Sequence, residues 1–385
     1  MSADVLTAAT SLGEQIRDAR DQTEELRQIP DSVVRALAEA DLFRLAIPSE
    51  HDGPEVDPVT ALRVYESLAR SEPSVAWAVW NSSLPCLFAR FLDDSVRQEL
   101  FGTPGGKYAS STRPSGRARR ENGNFRISGH WSLVSGCLHA DWIGLMCLVE
   151  EDGEIEMVEP DAPHVRMAFV PADSVEILDT WHVGGLRGTG SHDVVAEDLE
   201  VPAERTFAPM DPVRLYHPIG QMPITSTMAA GHAAICLGIA CAALDSVIGL
   251  GRTKVSPDPV PKLPDRASNQ QLVAEAGTLL SALRAEVHRA VGHNWGLATS
   301  GSEITAEDIA DAFAAAVVAA RESRQLVSSM YEVAGTPALY VDFPLERLHR
   351  DVHAAMQHLI VQRMWLEEVG RVRFGMEVES PLFLL

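Results

Sequence analysis

The sequence predicts an α+β fold that is mainly helical and runs through three consecutive parts. Residues 1–105 and 216–385 carry apolar side chains at the three- and four-residue spacing of helices. Residues 106–215 instead carry short β-rich runs separated by turn residues, which are typical of a small β-barrel or sandwich. A chain of 385 residues can bury a core of this size. We therefore expect an N-terminal helical domain, a central β-domain and a C-terminal helical domain with those boundaries.

In the first part, the sequence predicts a helix beginning at Pro30 and further helices over residues 58–69 and 74–91. The last of these is apolar nearly all round, so it should be buried or should lie against a large ligand. Packing in the core is one interpretation. In the other, Trp80 and Asn81 line a substrate pocket.

Turn residues divide the central part into strands. Residues 121–124, Glu-Asn-Gly-Asn, have the composition of a hairpin turn. Further strands are expected over residues 143–149, 155–158 and 194–202, and Pro202 should close the last one.

The third part predicts long helices. Thr305 and Asp308 have the spacing of a capping box at the start of one helix, and Gly335 should end it. Residues 254–265 contain four prolines and should form a loop. The final helix is expected to begin at Pro344 and to bury one continuous face. That face consists of Leu345, Leu348, Val352, Ala355, Leu359 and Leu366.

Charge and cysteine content restrict the function classes. The net charge of −22 argues against binding to nucleic acid or to anionic membranes. The five cysteines show no C-x-x-C pair and no metal-ligand spacing with histidine, which favours buried thiols in a reducing compartment. The N-terminus lacks signal-peptide features, and the apolar residues 228–251 favour a buried helix over a membrane span. We expect a cytoplasmic protein without a metal site.

The stretch from Leu178 to Asp193 is the most informative segment. Its four glycines within seven residues let the backbone approach a flat ligand. Arg187 supplies a cation, and Thr180, Thr189 and Ser191 supply hydroxyls. Because a strand follows the glycines, where a Rossmann motif requires a helix, this is a poor dinucleotide fingerprint. A tight turn within a β-domain is the alternative interpretation.

Residues 181–193, Trp-x-x-x-Gly-Leu-Arg-Gly-Thr-Gly-Ser-His-Asp, resemble the flavin-contacting loop of the acyl-CoA dehydrogenase fold. They resemble more closely the version in group D flavin-dependent monooxygenases, the oxygenase components of two-component systems. Residues 47–53, Ile-Pro-Ser-Glu-x-x-Gly, are similar to that superfamily's N-terminal helical domain. The resemblance implies a central β-barrel and a C-terminal four-helix bundle, which in this family forms the core of a homotetramer.

The resemblance also implies the chemistry. A separate NAD(P)H:flavin reductase would supply reduced FMN or FAD, because the chain has no dinucleotide fingerprint of its own. With O2 the flavin would form a C4a-hydroperoxyflavin, which transfers one oxygen atom to an apolar, aromatic or polycyclic small molecule.

Two residues are implied in catalysis. Residues 131–142 resemble the strand that faces flavin N5, which gives Ser135 the role of holding the N5 proton. The Arg-Asp-x-His-x4-His pattern of residues 350–358 places His358 beside the flavin, and helical spacing would put Arg347, Asp351 and His358 on one face. A turn serine and a surface histidine are the alternatives from the residues alone.

The implied cofactor contacts surround these two residues. Trp131 would flank the ring system, and Thr112 would begin the first flavin strand, although Arg113 stands where an acid is usual. Arg252 would reach the phosphates of a flavin in a neighbouring subunit, with a solvated surface arginine as the alternative. The loop contacts would be Arg187, Gly188, Thr189, Gly190 and Ser191.

Other functions remain open at this point. An acyl-CoA dehydrogenase would need a relocated base, because His358 and Leu359 stand where the catalytic glutamate would fall. A third hypothesis is a protein of the same fold that has lost catalytic activity and serves as a binding or scaffolding subunit. No histidine lies between Asp52 and Gly129, where phenol hydroxylases of this group carry one. N-hydroxylation or oxidation of sulfur or of polycyclic aromatics would tolerate that difference.

Overall fold

The computed structural model describes residues 2–160, 162–253 and 262–385. Two compact units emerge, and each contains more than one stretch of chain. The first consists of Met1–Asp57, Trp77–His182 and Arg187–Gln221. The second consists of Pro58–Ala76, Val183–Leu186 and Met222–Leu385. Helices, strands and helices follow one another along the chain in the predicted order. The three-domain boundaries stay a prediction.

The helices occupy both ends of the sequence. Their bounds are α1 Ser2–Ser11, α2 Gly13–Asp18, α3 Arg20–Leu26, α4 Asp31–Glu39, α5 Pro58–Ser71, α6 Pro73–Phe88, α7 Asp94–Phe101, α8 Ile224–Thr253, α9 Ala267–Ser300, α10 Ala306–Ala334, α11 Pro344–Ala355, α12 Met364–Arg373 and α13 Pro381–Leu384. The helices predicted near residues 30, 58 and 74 are confirmed to within a few residues.

The strands form one mixed sheet and one small hairpin. Their bounds are β1 Tyr108–Glu121, β2 Asn124–Val134, β3 Trp142–Glu151, β4 Glu154–Ile155, β5 Met157–Glu159, β6 Ala162–Pro163, β7 Val165–Pro171, β8 Glu176–Leu178, β9 His192–Val201 and β10 Thr206–Phe207. The sheet order is β10-β7-β3-β1-β2-β9-β8, with β4 paired to β3. Only β1 and β3 pair in parallel; the other pairings between described strands are antiparallel.

The predicted hairpin between β1 and β2 is confirmed. Glu121 pairs with Asn124, and the two residues between them have positive φ angles of 50° at Asn122 and 85° at Gly123. Asn-Gly is the sequence that this turn geometry favours. The hairpin fixes the register of β2, which ends at Val134, one residue before Ser135.

Long helices build the second unit. A capping box between Thr305 and Asp308 begins α10, and Gly335 with φ of 66° ends it, as predicted. Helix α10 packs against α8, α9, α11 and α12. By length and composition α8 could cross a membrane, but 61% of its most apolar window is buried inside the protein, as in a core helix.

The final helix departs from the prediction. α11 ends at Ala355, a 3-10 turn covers Leu359–Val361, and a separate helix, α12, begins at Met364. The predicted continuous buried face is therefore wrong beyond Ala355, and Leu359 is 58% exposed. Most of the predicted proline-rich loop, residues 254–261, lies outside the described residues.

All five cysteines are buried and none forms a disulfide, as the sequence predicted for buried thiols. They are Cys86, Cys137, Cys147, Cys236 and Cys241. Burial raises the pKa of each thiol, to about 12 for Cys137, Cys147 and Cys236.

Candidate functional site

The first part of the glycine-rich stretch is anchored to helix α11. The Leu186 amide donates to Asp351 Oδ1 at 2.6 Å, and the Arg350 guanidinium donates to the carbonyl of Gly184. A Cβ at Gly185 would overlap the Arg350 carbonyl oxygen. The sequence needs glycine here because two backbones approach each other closely.

The second part of the stretch joins a chain of hydroxyls in the first unit. Thr189 Oγ1 lies 2.7 Å from Ser191 Oγ, which lies 2.7 Å from Ser135 Oγ. The Trp77 indole Nε1 donates to Ser135 Oγ at 3.1 Å. All four side chains are buried, and the Gly136 amide donates to the Thr189 carbonyl at 2.9 Å. The structure therefore brings together Ser135, predicted from residues 131–142, with Thr189 and Ser191, predicted from the glycine-rich stretch.

This hydroxyl chain can carry its hydrogens in either direction. The Trp77 indole occupies one acceptor position of Ser135 and cannot itself accept. If Ser135 donates to Ser191, Ser135 can still accept one bond from a ligand N–H. If Ser191 donates to Ser135, the Ser135 hydrogen can point to a ligand acceptor. The same oxygen can thus serve as donor or acceptor.

Arg187 has a partner within its own unit. Its Nε donates to the Glu24 carbonyl at 3.3 Å and lies 3.3 Å from Glu24 Oε1. The guanidinium therefore holds the loop to helix α3, and its contact with a cofactor stays a prediction. Gly188 is buried, and Gly190 has φ of 52°, which favours glycine.

Trp131 differs from its predicted role. Its indole is fully buried in the sheet core and donates to the Met146 carbonyl at 2.7 Å. Any Cβ on Gly116 or Gly129 would overlap the indole, so these glycines make room for it. A ring enclosed this way cannot flank a ligand, and we assign Trp131 a structural role.

The remaining predicted contacts lie at different depths. Thr112 is exposed on β1, and Arg252 is exposed in the last turn of α8. Trp80 is buried, with its ring centroid 5.1 Å from that of Trp77 in an edge-on arrangement. Asn81 Nδ2 donates to the Trp77 carbonyl at 3.2 Å, so Asn81 supports the tryptophan that contacts Ser135.

His358 belongs to the second unit and lies outside the helix on which it was predicted. It follows the end of α11 with φ of −68° and ψ of 134°, so it does not share a helical face with Asp351. The Ile360 amide donates to His358 Nδ1 at 3.2 Å, which leaves the proton of the neutral ring on Nε2. Burial lowers the pKa of His358 to about 4. The ring is therefore neutral at physiological pH.

Two segments of the chain match known protein families. Residues 6–102 match the family "Acyl-CoA dehydrogenase, N-terminal domain", and residues 230–363 match "Acyl-CoA dehydrogenase, C-terminal domain". Together the two matches cover more than half of the sequence. The chain belongs to the acyl-CoA dehydrogenase family.

Several relatives of this chain are named as monooxygenases. Indole-3-acetate monooxygenase of Acinetobacter baumannii is 26% identical over 91% of this chain and 88% of its own length. The flavin-dependent monooxygenase oxygenase subunit HsaA of Rhodococcus jostii is 28% identical over 89% and 91%. The structure of XiaF from Streptomyces sp. in complex with FADH2 and glycerol is 26% identical, with a TM-score of 0.91 over 99% and 97% of the two chains. This member of the family is a flavin-dependent monooxygenase, the oxygenase component.

The hydroxyl chain fits a flavin. Flavin N5 bears a hydrogen in the reduced ring and accepts a hydrogen bond in the oxidised ring. The Ser135 hydroxyl can form a hydrogen bond with either form. Glycine backbone at residues 188 and 190 adjoins the hydroxyls without side-chain bulk. Among the described residues, no group of three or more His, Cys, Asp and Glu side chains is arranged to hold a metal ion.

The buried carboxylates of the second unit do not resemble a free catalytic base. Among its described residues, Glu66 pairs with Arg284 at 2.8 Å, and Glu72 accepts from the Ser74 amide at 3.3 Å. Asp351 accepts from the Leu186 amide, and Glu368 accepts from two backbone amides of the C-terminal segment. These engagements argue against the acyl-CoA dehydrogenase reading, because a base must reach a substrate proton.

Two residues with these contacts, one in each unit, were not singled out from the sequence. Trp77 lies in the apolar helix predicted over residues 74–91, and its three-residue spacing from Trp80 indicates a shared face of two indoles. His232 lies among the apolar residues 228–251, in helix α8. A histidine among buried apolar residues signals a hydrogen-bonding requirement.

Proposed function

We propose that this oxygenase component takes reduced flavin from a separate NAD(P)H:flavin reductase and inserts one atom of O2 into an apolar aromatic substrate. The flavin, FMNH2 or FADH2, supplies the oxygen activation when bound. The observation that carries the proposal is the buried Thr189–Ser191–Ser135 hydroxyl chain held by the Trp77 indole.

Ser135 is proposed to hold the proton at flavin N5. Its Oγ can accept from the N–H of a reduced ring when its own hydrogen points to Ser191. Burial of the whole chain withholds the water that would otherwise carry this proton away. Loss of that proton would release hydrogen peroxide in place of product, so Ser135 should control the partition between the two.

His358 is proposed as the second catalytic residue. Its Nδ1 is occupied by the Ile360 amide, so it can offer only an Nε2–H donor. Because its pKa is lowered to about 4, the His358 ring is neutral at physiological pH and has no extra proton to give to the flavin. The proposed role of the His358 Nε2–H is to donate a hydrogen bond that orients an oxygen atom of a bound reactant.

The other flavin contacts are proposed from the resemblance. The backbone and hydroxyls of the Gly188–Ser191 segment would bind the ring edge, and Thr112 would lie at the start of the flavin strand. Arg252 would contact the phosphates of a neighbouring subunit's flavin. Its exposed position at the end of α8 supports this over a role inside its own unit.

The proposed substrate is a bicyclic or polycyclic aromatic molecule. Indole-3-acetate is the substrate printed in the name of one relative, which makes it a suitable first probe. Trp80 and Asn81 are proposed to line the pocket. Because no histidine lies between Asp52 and Gly129 to orient a phenol, N-hydroxylation or sulfur oxidation is the alternative to attack at carbon.

The test measures where the oxygen goes. Protein is mixed with FMNH2 or FADH2, isotopically labelled O2 and aromatic probes beginning with indole-3-acetate. We expect one labelled oxygen atom in the product and a minor share of hydrogen peroxide. Ser135→Ala should raise the peroxide share about tenfold or more, by loss of one buried hydrogen bond. Ser132→Ala is the matched control, because Ser132 lies three residues earlier, on β2, and its hydroxyl accepts from Arg113 instead of joining the hydroxyl chain. Stoichiometric peroxide with every probe, unaltered by Ser135→Ala, would refute the proposal.

Finer features of the assembly are also proposed. α8, α9, α10 and the α11–α12 pair would form a four-helix bundle, and the sheet would close as a barrel. A homotetramer would cover exposed apolar side chains of the second unit, including Tyr340, Val341 and Phe374. Light scattering should give about four times the 41.8 kDa chain mass. The five unpaired cysteines support a cytoplasmic location.

A further inference from the structure

His232 lies in the middle of an apolar helix. Its side chain is fully buried in α8, where Met228, Ala229 and Cys236 are its neighbours within about one turn. Burying an imidazole among apolar groups costs free energy unless its ring nitrogens are hydrogen-bonded. The partners of the two nitrogens therefore indicate why a histidine is present.

Both ring nitrogens have partners. Nε2 lies 2.9 Å from the Ala355 carbonyl oxygen, and Nδ1 lies 3.7 Å from Cys236 Sγ, one turn along the same helix. A carbonyl only accepts, so the proton of the neutral ring is on Nε2, and Nδ1 is left to accept from the thiol. The ring is thereby fixed in one tautomer and directed at one carbonyl.

That carbonyl belongs to the residue at which α11 ends. Carbonyls in the last turn of a helix lack intrahelical partners. Here the Ala355 carbonyl accepts from the His358 amide at 3.1 Å as well as from His232. The chain then extends through His358, whose own ring accepts from the Ile360 amide. One carbonyl thus connects His232 to the backbone that presents His358.

The two rings also lie close together. Their centroids are 5.8 Å apart with an interplanar angle of 41°. Burial, together with the neighbouring His358, lowers the pKa of His232 to about 3. Two neutral rings can share this buried space, whereas two imidazolium ions would repel each other.

We propose that His232 is a positioning residue for His358: through the Ala355 carbonyl it holds the turn of residues 355–358 and so sets where the His358 ring points. The relevance to oxygen transfer rests on the proposed function. The positioning itself is a property of the flavin-free protein.

Hydrogen–deuterium exchange of the flavin-free full-length protein tests the positioning. His232→Leu removes the donor, and we expect exchange at the His358 and Ile360 amides about tenfold faster, from loss of one buried hydrogen bond. His232→Gln keeps an N–H donor and should stay within about twofold of the wild type. His353→Gln makes the same histidine-to-glutamine substitution on α11, and it is the matched control. If the leucine variant does not fold, His232→Asn, whose shorter amide cannot reach Ala355, takes its place under the same criteria.

The result that overturns the proposal is unchanged exchange at residues 356–361 in His232→Leu. Equal acceleration throughout α8 and α11 would also overturn it, because it would mean general loosening. A second readout is the share of reduced flavin that ends as peroxide, which should rise in His232→Leu and in His358→Ala. Faster local exchange with no change of that share in either variant would refute the proposed role of His358 while confirming that His232 holds the turn.

Discussion

The two candidate catalytic groups are built on different physical bases. Ser135 belongs to a chain of hydroxyls in which each group can donate or accept, so the hydrogens can reorient while the oxygen atoms stay in place. His358 and His232 are rings whose tautomers are fixed by backbone partners and whose charges are suppressed by burial. The hydroxyl chain can adapt to the redox state of a ligand. The two histidine rings each keep one fixed tautomer.

This difference suggests a division of labour. A group that must bond the same flavin nitrogen before and after reduction needs reversible polarity, which hydroxyls provide. A group that must orient an oxygen without transferring its proton needs a donor that stays neutral, which a buried imidazole provides. Four predictions test the contrast, in order of expected effect.

The largest difference between the histidine pair and the hydroxyl chain should be in the pH dependence of the free energy of unfolding. The pKa of His358 is about 4 in the folded protein and about 6.5 unfolded, so between these values the unfolded chain binds more protons. The free energy of unfolding should therefore fall as pH falls through this window, by at most about 3.4 kcal/mol from this residue.

Urea unfolding between pH 7 and pH 4 measures the slope. His358→Gln should flatten it by up to about 1.4 kcal/mol per pH unit, whereas Ser191→Ala should leave the slope unchanged because hydroxyls do not titrate there. Equal slopes in wild type and His358→Gln would contradict the assignment.

The next effect concerns the first part of the glycine-rich stretch, which is anchored to helix α11. Gly185→Ala should lower the free energy of unfolding by about 1–3 kcal/mol, because its Cβ would overlap the rigid Arg350 carbonyl. Gly184→Ala is the control, since a Cβ there meets nothing within 4 Å. Chemical denaturation of the two variants side by side decides it. Similar losses would show that the close approach is not the cause.

A smaller effect is expected in the second part of the stretch, which contributes Thr189 and Ser191 to the hydroxyl chain. Ser191→Ala removes the central hydroxyl, so Thr189 and Ser135 each lose one partner, and stability should fall by about 1–2 kcal/mol. The peroxide share in turnover should rise, because Ser135 can no longer direct its hydrogen into the chain. Thr189→Ser, which keeps its hydroxyl, should resemble the wild type. An unchanged peroxide share in Ser191→Ala would remove the hydroxyl chain from the mechanism.

The smallest effect is expected for Arg187→Gln. Because Arg187 bonds Glu24, its loss should cost about 0.2–1 kcal/mol of stability and change flavin affinity less than about twofold. Arg252→Gln, tested in parallel by flavin titration, should weaken binding more if Arg252 contacts the phosphates. A large affinity loss in Arg187→Gln would instead restore that residue as a cofactor contact.

The parts of the fold that short-range signals control were predictable. The Asn122-Gly123 turn, the Thr305 cap and the Gly335 stop each depend on residues within one or two turns. The glycine-rich loop and Ser135 were singled out from local motifs that resemble the family, and their cofactor contacts stay predictions. By contrast, the Ala355 carbonyl at the end of α11 accepts from His232, more than a hundred residues away, and side-chain spacing alone continues the helix past Ala355. Trp131 was misassigned because its burial depends on Gly116 and Gly129 on two strands.

The buried cysteines have a consequence for the durability of such an enzyme. Any turnover that fails to reach product exposes the protein to peroxide at close range. Peroxide oxidises thiolates to sulfenic and higher acids, and its rate follows the thiolate fraction and access. Because the pKa of every cysteine is raised and every cysteine side chain is buried, almost no thiolate exists at neutral pH. The cysteines are thereby protected from the peroxide that the side reaction releases.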